Sequence, residues 1–397
     1  MKKIKILDKQ LDKLPSKVLF CKNCIVSNQR PRISFNKKGI CSACEWSFEK
    51  NNKVNWKIRE KELSELLNKH RKSNGEFDIV VPGSGGKDSA YVAHQLKYKY
   101  NMNPLCITWA PAEWSNIGSL NLESFINKGF YNIVARPDGE INKKISKLGF
   151  VHQGQPFIPF IYGQKAYPYQ IANMYNIKLI MYGENGELEY GGSTKNKYKS
   201  HEEPSEWVEF YFKGTSVKDL VKMGFETNVF NKKKHNIKSI VNAYSPPDYE
   251  IVRKKNIQMH WWSYYKKWIP QENYYYASKF TDFKTNNFGR AEGSYTKYTG
   301  LDDKLDGLHW YLMYIKFGMG RATRDACQDI MMLHITRDEG VRLAHLYDGE
   351  FPKKYHNWAL KHLDISDELF WKVIDKYRSK KLWKKKNNGW ELKYKVK

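Results

Sequence analysis

The 397-residue sequence predicts an α/β fold on a mostly parallel sheet, preceded by a small cysteine-rich module and followed by a mainly helical C-terminal region. Three observations predict it. Between residues 77 and 182, short apolar runs alternate with helical stretches, the rhythm of strands joined by crossover helices. Near the start, two Cys-x2-Cys pairs stand sixteen residues apart, a spacing suited to one metal ion. Beyond residue 305, helix starts with early acids dominate, as in Asp338-Glu339 and Ser366-Asp367-Glu368.

The cysteine module comes first. Cys21 and Cys24 form one pair, Cys41 and Cys44 the other. Each Cys-x2-Cys turn places two thiolates on one side of a tight knuckle, and Gly39 suits the turn into the second. Two knuckles complete a tetrahedral sulfur site with no open position, so the expected ion is a structural Zn2+, with a rubredoxin-type iron as the alternative. A disulfide framework belongs to secreted chains, and nothing marks this one as secreted.

Phe77-Asp78-Ile79-Val80-Val81 reads as a buried strand, and Ala90 to Leu96 as a helix. Between them lies Pro82-Gly83-Ser84-Gly85-Gly86-Lys87-Asp88-Ser89. Glycines there let backbone N–H groups converge on one point, and the helix N-terminus adds positive potential. Ser84 and Ser89 offer hydroxyl donors, Lys87 can neutralise phosphate charge, and Asp88 can hold a magnesium ion or orient the loop. The Walker pattern is absent. Further strands are expected at 104–109, 131–135 and 177–182, with helices around 119–129, 139–149 and 160–175. Ligands of such sheets gather at the strand C-termini. One of those ends carries Gly183-Glu184-Asn185, a turn signal that also suits Glu184 to meet magnesium or ribose.

The segment Ser84 to Ser89 resembles the PP-loop of the N-type ATP pyrophosphatases, and the wider sequence narrows the family. It carries Tyr182-Gly183-Glu184-Asn185-Gly186-Glu187, Glu189-Tyr190-Gly191-Gly192 and Pro270 to Ala277. It then carries Gly289-Arg290, Glu292 to Tyr298, Leu301-Asp302-Asp303-Lys304, Lys316 to Thr323 and Tyr347 to Pro352. With the cysteine module, these resemble the N-acetyl sugar amidotransferases of bacterial surface-glycan pathways, the WbpG-like and PseA-like proteins. The resemblance implies a HUP-like PP-loop ATP pyrophosphatase domain, with ATP and Mg2+ bound at Ser84, Gly85, Gly86, Lys87, Asp88 and Ser89. It implies adenosine contacts at Thr108 and Trp109; Gly183, Glu184 and Asn185 are further cofactor-binding candidates by their place at a strand C-terminus beside the loop. The implied reaction adenylates the carbonyl oxygen of a sugar N-acetyl group; ammonia then displaces AMP and leaves an acetamidino group. Lys87, Asp88, Lys316 and Arg321 are the catalytic candidates, although a solvated helix face is the alternative for Lys316 and Arg321. The resemblance also implies separate glutaminase and cyclase-like subunits that deliver ammonia. The chain itself shows no glutaminase, since Cys106 and Cys327 read as core residues.

The expected organisation is a zinc-ribbon domain over 1–55, a PP-loop domain over 56–200, and a substrate-binding insertion with a helical region over 201–397. Residues 187–300 break the α/β rhythm and are aromatic and irregular. In and just beyond them, Glu292, Tyr295, Lys297, Asp302 and Asp303 are polar groups among aromatics, as sugar recognition needs; a polar surface over an aromatic core is the alternative. The net charge of +26 is mostly lysine, which favours compositional drift over a nucleic-acid partner. A PP-loop tRNA-modifying enzyme, of the thiolation or lysidine type, is the second reading, and a zinc-ribbon binding module the third. The basic start, Met1 to Lys5, lacks a signal-peptide core, and no run is long enough to span a membrane. The expected compartment is the cytoplasm.

Overall fold

The computed structural model describes residues 4–387 and 389–397; the basic start at Met1 to Lys3 lies outside them. Six strands form the main sheet: β1 (Ile79–Pro82), β2 (Pro104–Trp109), β3 (Asn132–Ala135), β4 (Leu179–Tyr182), β5 (His201–Glu202) and β6 (Gln258–Trp261). Their order is β3-β2-β1-β4-β6-β5, and every neighbouring pair is parallel except β5 with β6. The helices that carry and cover the sheet are α1 (Ser42–Asn52), α2 (Trp56–His70), α3 (Lys87–His94), α4 (Asn116–Asn127), α5 (Gly139–Gln153) and α6 (Ile158–Met174).

Alternation along each strand divides the core in two, because successive side chains point to opposite faces. Val80, Leu105, Ile107, Ile180 and Met259 face α5, α6 and the helices between residues 207 and 257. Ile79, Val81, Cys106, Leu179 and Met181 face α2, α3 and the aromatic group around Trp262 and Trp268. Both faces are covered, which is why these strands read as continuous apolar runs.

The strand order reverses beside β1. From β1 the chain steps outward to β2 and β3, then returns to place β4 on the other side of β1. The loops after β1 and β4 therefore leave from the topological switch point, where open sheets of this kind hold their ligands. The sheet also takes β5 and β6 from beyond residue 200, within the region whose sequence shows no α/β rhythm. β6 is only four residues long, and its pairing with β4 defines it as a strand.

The C-terminal region holds the helices Asp306–Phe317, Arg321–Met331, Arg337–Tyr347, His356–Leu363 and Asp367–Tyr377. Thr336 and Ser366 cap two of them, accepting from the backbone N–H groups of Glu339 and Leu369 at 3.2 Å. The basic tail is ordered as a hairpin, Trp383–Lys386 with Gly389–Leu392, anchored by buried Leu382 and Trp383. Among the described residues, no helix is long and apolar enough to cross a membrane.

Candidate active site and metal centre

The loop after β1 closes tightly. Gly83 N–H donates to the Ile107 carbonyl at 2.8 Å, and Thr108 Oγ1 donates to the Gly83 carbonyl at 2.6 Å. Gly85 has φ +75, and a Cβ there would lie 2.7 Å from the Asn121 carbonyl oxygen, so only glycine fits. Gly86 precedes α3, whose first-turn N–H groups have no partner inside the helix. Ser89 Oγ donates to the Gly86 carbonyl at 3.1 Å, steadying that turn. Lys87 is buried and pairs with Asp88, whose other oxygen accepts from Asn273 Nδ2 at 3.0 Å.

A cavity of about 330 Å³ opens on this loop. It is lined by Ser84, Gly86, Lys87, Asp88, Ser89, Trp109, Gly183, Glu184, Asp302 and Arg321, which brings together ten of the residues singled out in the sequence. Ser84 Oγ donates to Asp302 Oδ2 at 2.8 Å across 218 residues of chain. The Lys87 ammonium lies 5.5 Å from the ring centre of Tyr298. Burial, and then the charge of Asp88, pushes the Glu184 carboxyl up, while its bond from the Tyr190 hydroxyl works the other way. Trp109 lines the cavity with its ring, while its indole N–H is buried against Gly163 of α6 and has no partner among the described residues.

Other expected residues stand elsewhere. Thr108 is buried beneath the loop as a brace. Asn185 caps a short helix, its Oδ1 accepting from Glu187 N–H at 3.1 Å. Lys316 requires a correction. It is fully buried and pairs with Asp8 at 3.0 Å, away from the cavity, so it steadies no phosphate there. Asp303 is buried and accepts from Leu305 N–H at 2.7 Å and Ala112 N–H at 3.2 Å, a turn brace whose carboxyl burial pushes well up. Glu292 accepts from the backbone N–H groups of Lys353 and Lys354, Tyr295 bonds to Asp329, and Lys297 lies over the ring of Tyr274. None of these last four lines the cavity. Sequence reasoning missed Phe157, Phe160, Tyr167 and Asp306, which do. Burial pushes the Asp306 carboxyl up, against the pull of Arg321. Asn273 was visible inside the Pro270 to Ala277 motif, but only its bond to Asp88 gives it a role.

The four cysteines Cys21, Cys24, Cys41 and Cys44 are buried, with all four sulfurs within 4.8 Å of one another. The Cys21–Cys44 and Cys24–Cys41 sulfurs are 3.9 and 3.7 Å apart. A tetrahedral ion with bonds of about 2.3 Å separates its sulfurs by roughly 3.8 Å, so the set fits a single ion. Cys41 N–H donates to Cys21 Sγ at 3.2 Å and Asn23 Nδ2 to Cys44 Sγ at 3.3 Å, bonds that favour thiolates. Purified protein is expected to carry one ion per chain, measured by elemental analysis under reducing conditions; a value near zero would remove the site. Cys106 lies in β2, its thiol pushed up by burial, and Cys327 packs against the cysteine module. Neither is exposed for nucleophilic work.

Residues 292–397 match the family model described as LPS biosynthesis protein WbpG-like, C-terminal domain. Over that span the chain is similar to a WbpG-like C-terminal domain. The same residues supply Tyr298, Asp302, Asp306 and Arg321 to the cavity, beside the glycine loop. The chain is also 32% identical over 88 residues to the uncharacterized protein MJ1599 of Methanocaldococcus jannaschii, spanning 22% of this chain and 31% of that relative. Among solved structures, the U34-tRNA thiolase NcsA from Methanococcus maripaludis, with its 4Fe-4S cluster, matches over 87% of this chain and 95% of its own, at 11% identity and a TM-score of 0.22. A score that low carries no argument about fold or chemistry.

Proposed function

We propose that this chain is a PP-loop enzyme that adenylates the carbonyl oxygen of a sugar N-acetyl group and transfers ammonia to its carbon, giving an acetamidino sugar, AMP and pyrophosphate. The observation that carries the reading is the single cavity shared by the glycine loop and the WbpG-like domain. An amide oxygen is a very poor leaving group until adenylated, so an ATP site facing a sugar site answers the chemical need.

In the first step the amide oxygen attacks the α-phosphorus of ATP and the bond to pyrophosphate breaks. The α3 N-terminus and Lys87 offset the charge that gathers on the leaving pyrophosphate. Asp88 and Glu184 would hold magnesium, which supplies further charge neutralisation on the phosphates. In the second step ammonia adds to the activated carbon, AMP departs with the former amide oxygen, and one ammonia proton is lost. Asp306, with its carboxyl pushed up by burial, is suited to take it. Trp109, Phe157 and Tyr167 offer aromatic walls to the adenine or the sugar.

The proposal extends to a structural zinc at the four cysteines, to surface-glycan synthesis (lipopolysaccharide O-antigen or flagellin nonulosonic acid), and to separate glutaminase and cyclase-like subunits as the ammonia source. It is tested by pyrophosphate release from ATP and magnesium with ammonium, across a panel of N-acetylated sugars. Release that depends on one sugar class supports it. Release that requires tRNA and ignores every sugar would move the chain to the tRNA-modifying reading.

A further inference from the structure

The segment that follows Glu184 is gripped from outside the sheet. Its short helix, Gly186–Glu189, carries two carboxylates, and the cysteine module takes both. Arg32 Nε donates to Glu187 Oε2 at 2.9 Å, and a second bond joins its Nη2 to Oε1. Lys50, on α1, pairs with Glu189 at 2.6 Å, both side chains being 1% exposed. The Trp46 indole donates to the other Glu189 oxygen at 2.9 Å. Further on, Arg30 donates to the Gly191 carbonyl and Ser42 Oγ to the Gly192 carbonyl. A Cβ on Gly192 would fall 2.3 Å from Glu187 Oε2, so the glycine makes room for the ion pair.

The helix Arg321–Met331 holds the other side. Gln328 donates to the Glu189 carbonyl, and the Arg324 guanidinium lies 3.7 Å from the Tyr190 ring centre. The Tyr190 hydroxyl in turn donates to Glu184 Oε1 at 2.8 Å. A forked arginine–carboxylate pair fixes orientation as well as adding energy. Arg32 itself has φ +64, a setting side chains other than glycine seldom adopt. Its backbone is held there against local preference, with its fork on Glu187.

We propose that Arg32 and Lys50 are positioning residues: through residues 186–192 the cysteine module sets the Glu184 carboxylate in the cavity wall, and so governs how the site holds magnesium and ATP. Neither residue lines the cavity; both act through the backbone that carries Glu184. The inference rests on the nucleotide reading given above.

The test is calorimetric titration of ATP at several magnesium concentrations. It compares the wild type, Arg32→Glu, Glu187→Arg and the double charge swap, with metal content and melting recorded for each. The Arg32–Glu187 pair is partly exposed, at 20% and 13%, and the melting and metal content of each variant separate a lost fold from a displaced Glu184. Each single variant is expected to bind about tenfold more weakly and to require more magnesium, while the double variant recovers most of the loss. Arg32→Lys keeps the charge without the fork and gives the same readout at about threefold. Single variants that bind like the wild type, or a double variant no better than the singles, would overturn the inference alone. A wild type that binds no ATP would remove the nucleotide reading and this inference with it.

Discussion

Replacing Lys316 by methionine is expected to lower the stability of the protein by about 3 kcal/mol, because it removes the ammonium that pairs with the buried Asp8 carboxylate at 3.0 Å and leaves only the weaker pull of Lys213. Both side chains of the pair are 0% exposed. Burial pushes the Asp8 carboxyl up, but the charges of Lys316 and Lys213 outweigh it and hold it below the usual carboxylate range. A carboxyl depressed in the folded state contributes stability that is present above its unfolded value and lost as pH falls through the folded one. In Lys316→Met that contribution shrinks, and protonated Asp8 is easier to keep buried. The stability gap between variant and wild type is therefore expected to be wider at pH 7 than near pH 4, as urea unfolding at the two values would measure. Adding Asp8→Asn should recover part of the loss. Equal stability of Lys316→Met and wild type at pH 7 would contradict the buried pair.

Asp88→Asn is expected to behave oppositely, leaving stability within about 0.5 kcal/mol and lowering turnover by roughly 10²–10³-fold. The Asp88 side chain is 36% exposed at the cavity, so little of the core depends on it. Its charge faces Lys87 and, in the proposed reaction, magnesium. An amide keeps the size and still accepts the bond from Asn273, but it carries no charge. Steady-state pyrophosphate release together with thermal melting checks both halves; wild-type turnover in Asp88→Asn would remove the loop from the chemistry.

These two lysine and aspartate positions mark what the sequence could and could not convey. Ser84 to Ser89 was legible because strand, glycine loop and helix are contiguous, and each part has its own local signal. The same holds for Gly183-Glu184 at the end of β4, and for the four cysteines, whose spacing alone implies convergence. Lys316 was misleading because it stands five residues before Arg321, which does line the cavity, while its true partner is 308 residues away. Asp302 and Asp303 are adjacent, yet one meets Ser84 and the other braces a turn, a division set by the approach of α4 and its flanking loop. Strand β6 escaped notice because Gln258 to Trp261 holds polar Gln258 and His260 amid an irregular aromatic stretch, without the apolar run that marks β1 and β4, and pairing with β4 decides it. Asp306 carried no signal beyond that of a helix start, and only its place in the cavity gives it a chemical part.

The central claim concerns the product. The wild-type protein, given ATP, magnesium, ammonium and an N-acetylated bacterial sugar, should yield AMP, pyrophosphate and a sugar about one dalton lighter by mass spectrometry, since an NH group replaces oxygen. Labelling with 15N-ammonium should add a further mass unit to that sugar. An unchanged sugar mass across the whole panel, with ATP cleaved only when tRNA is supplied, would contradict the account.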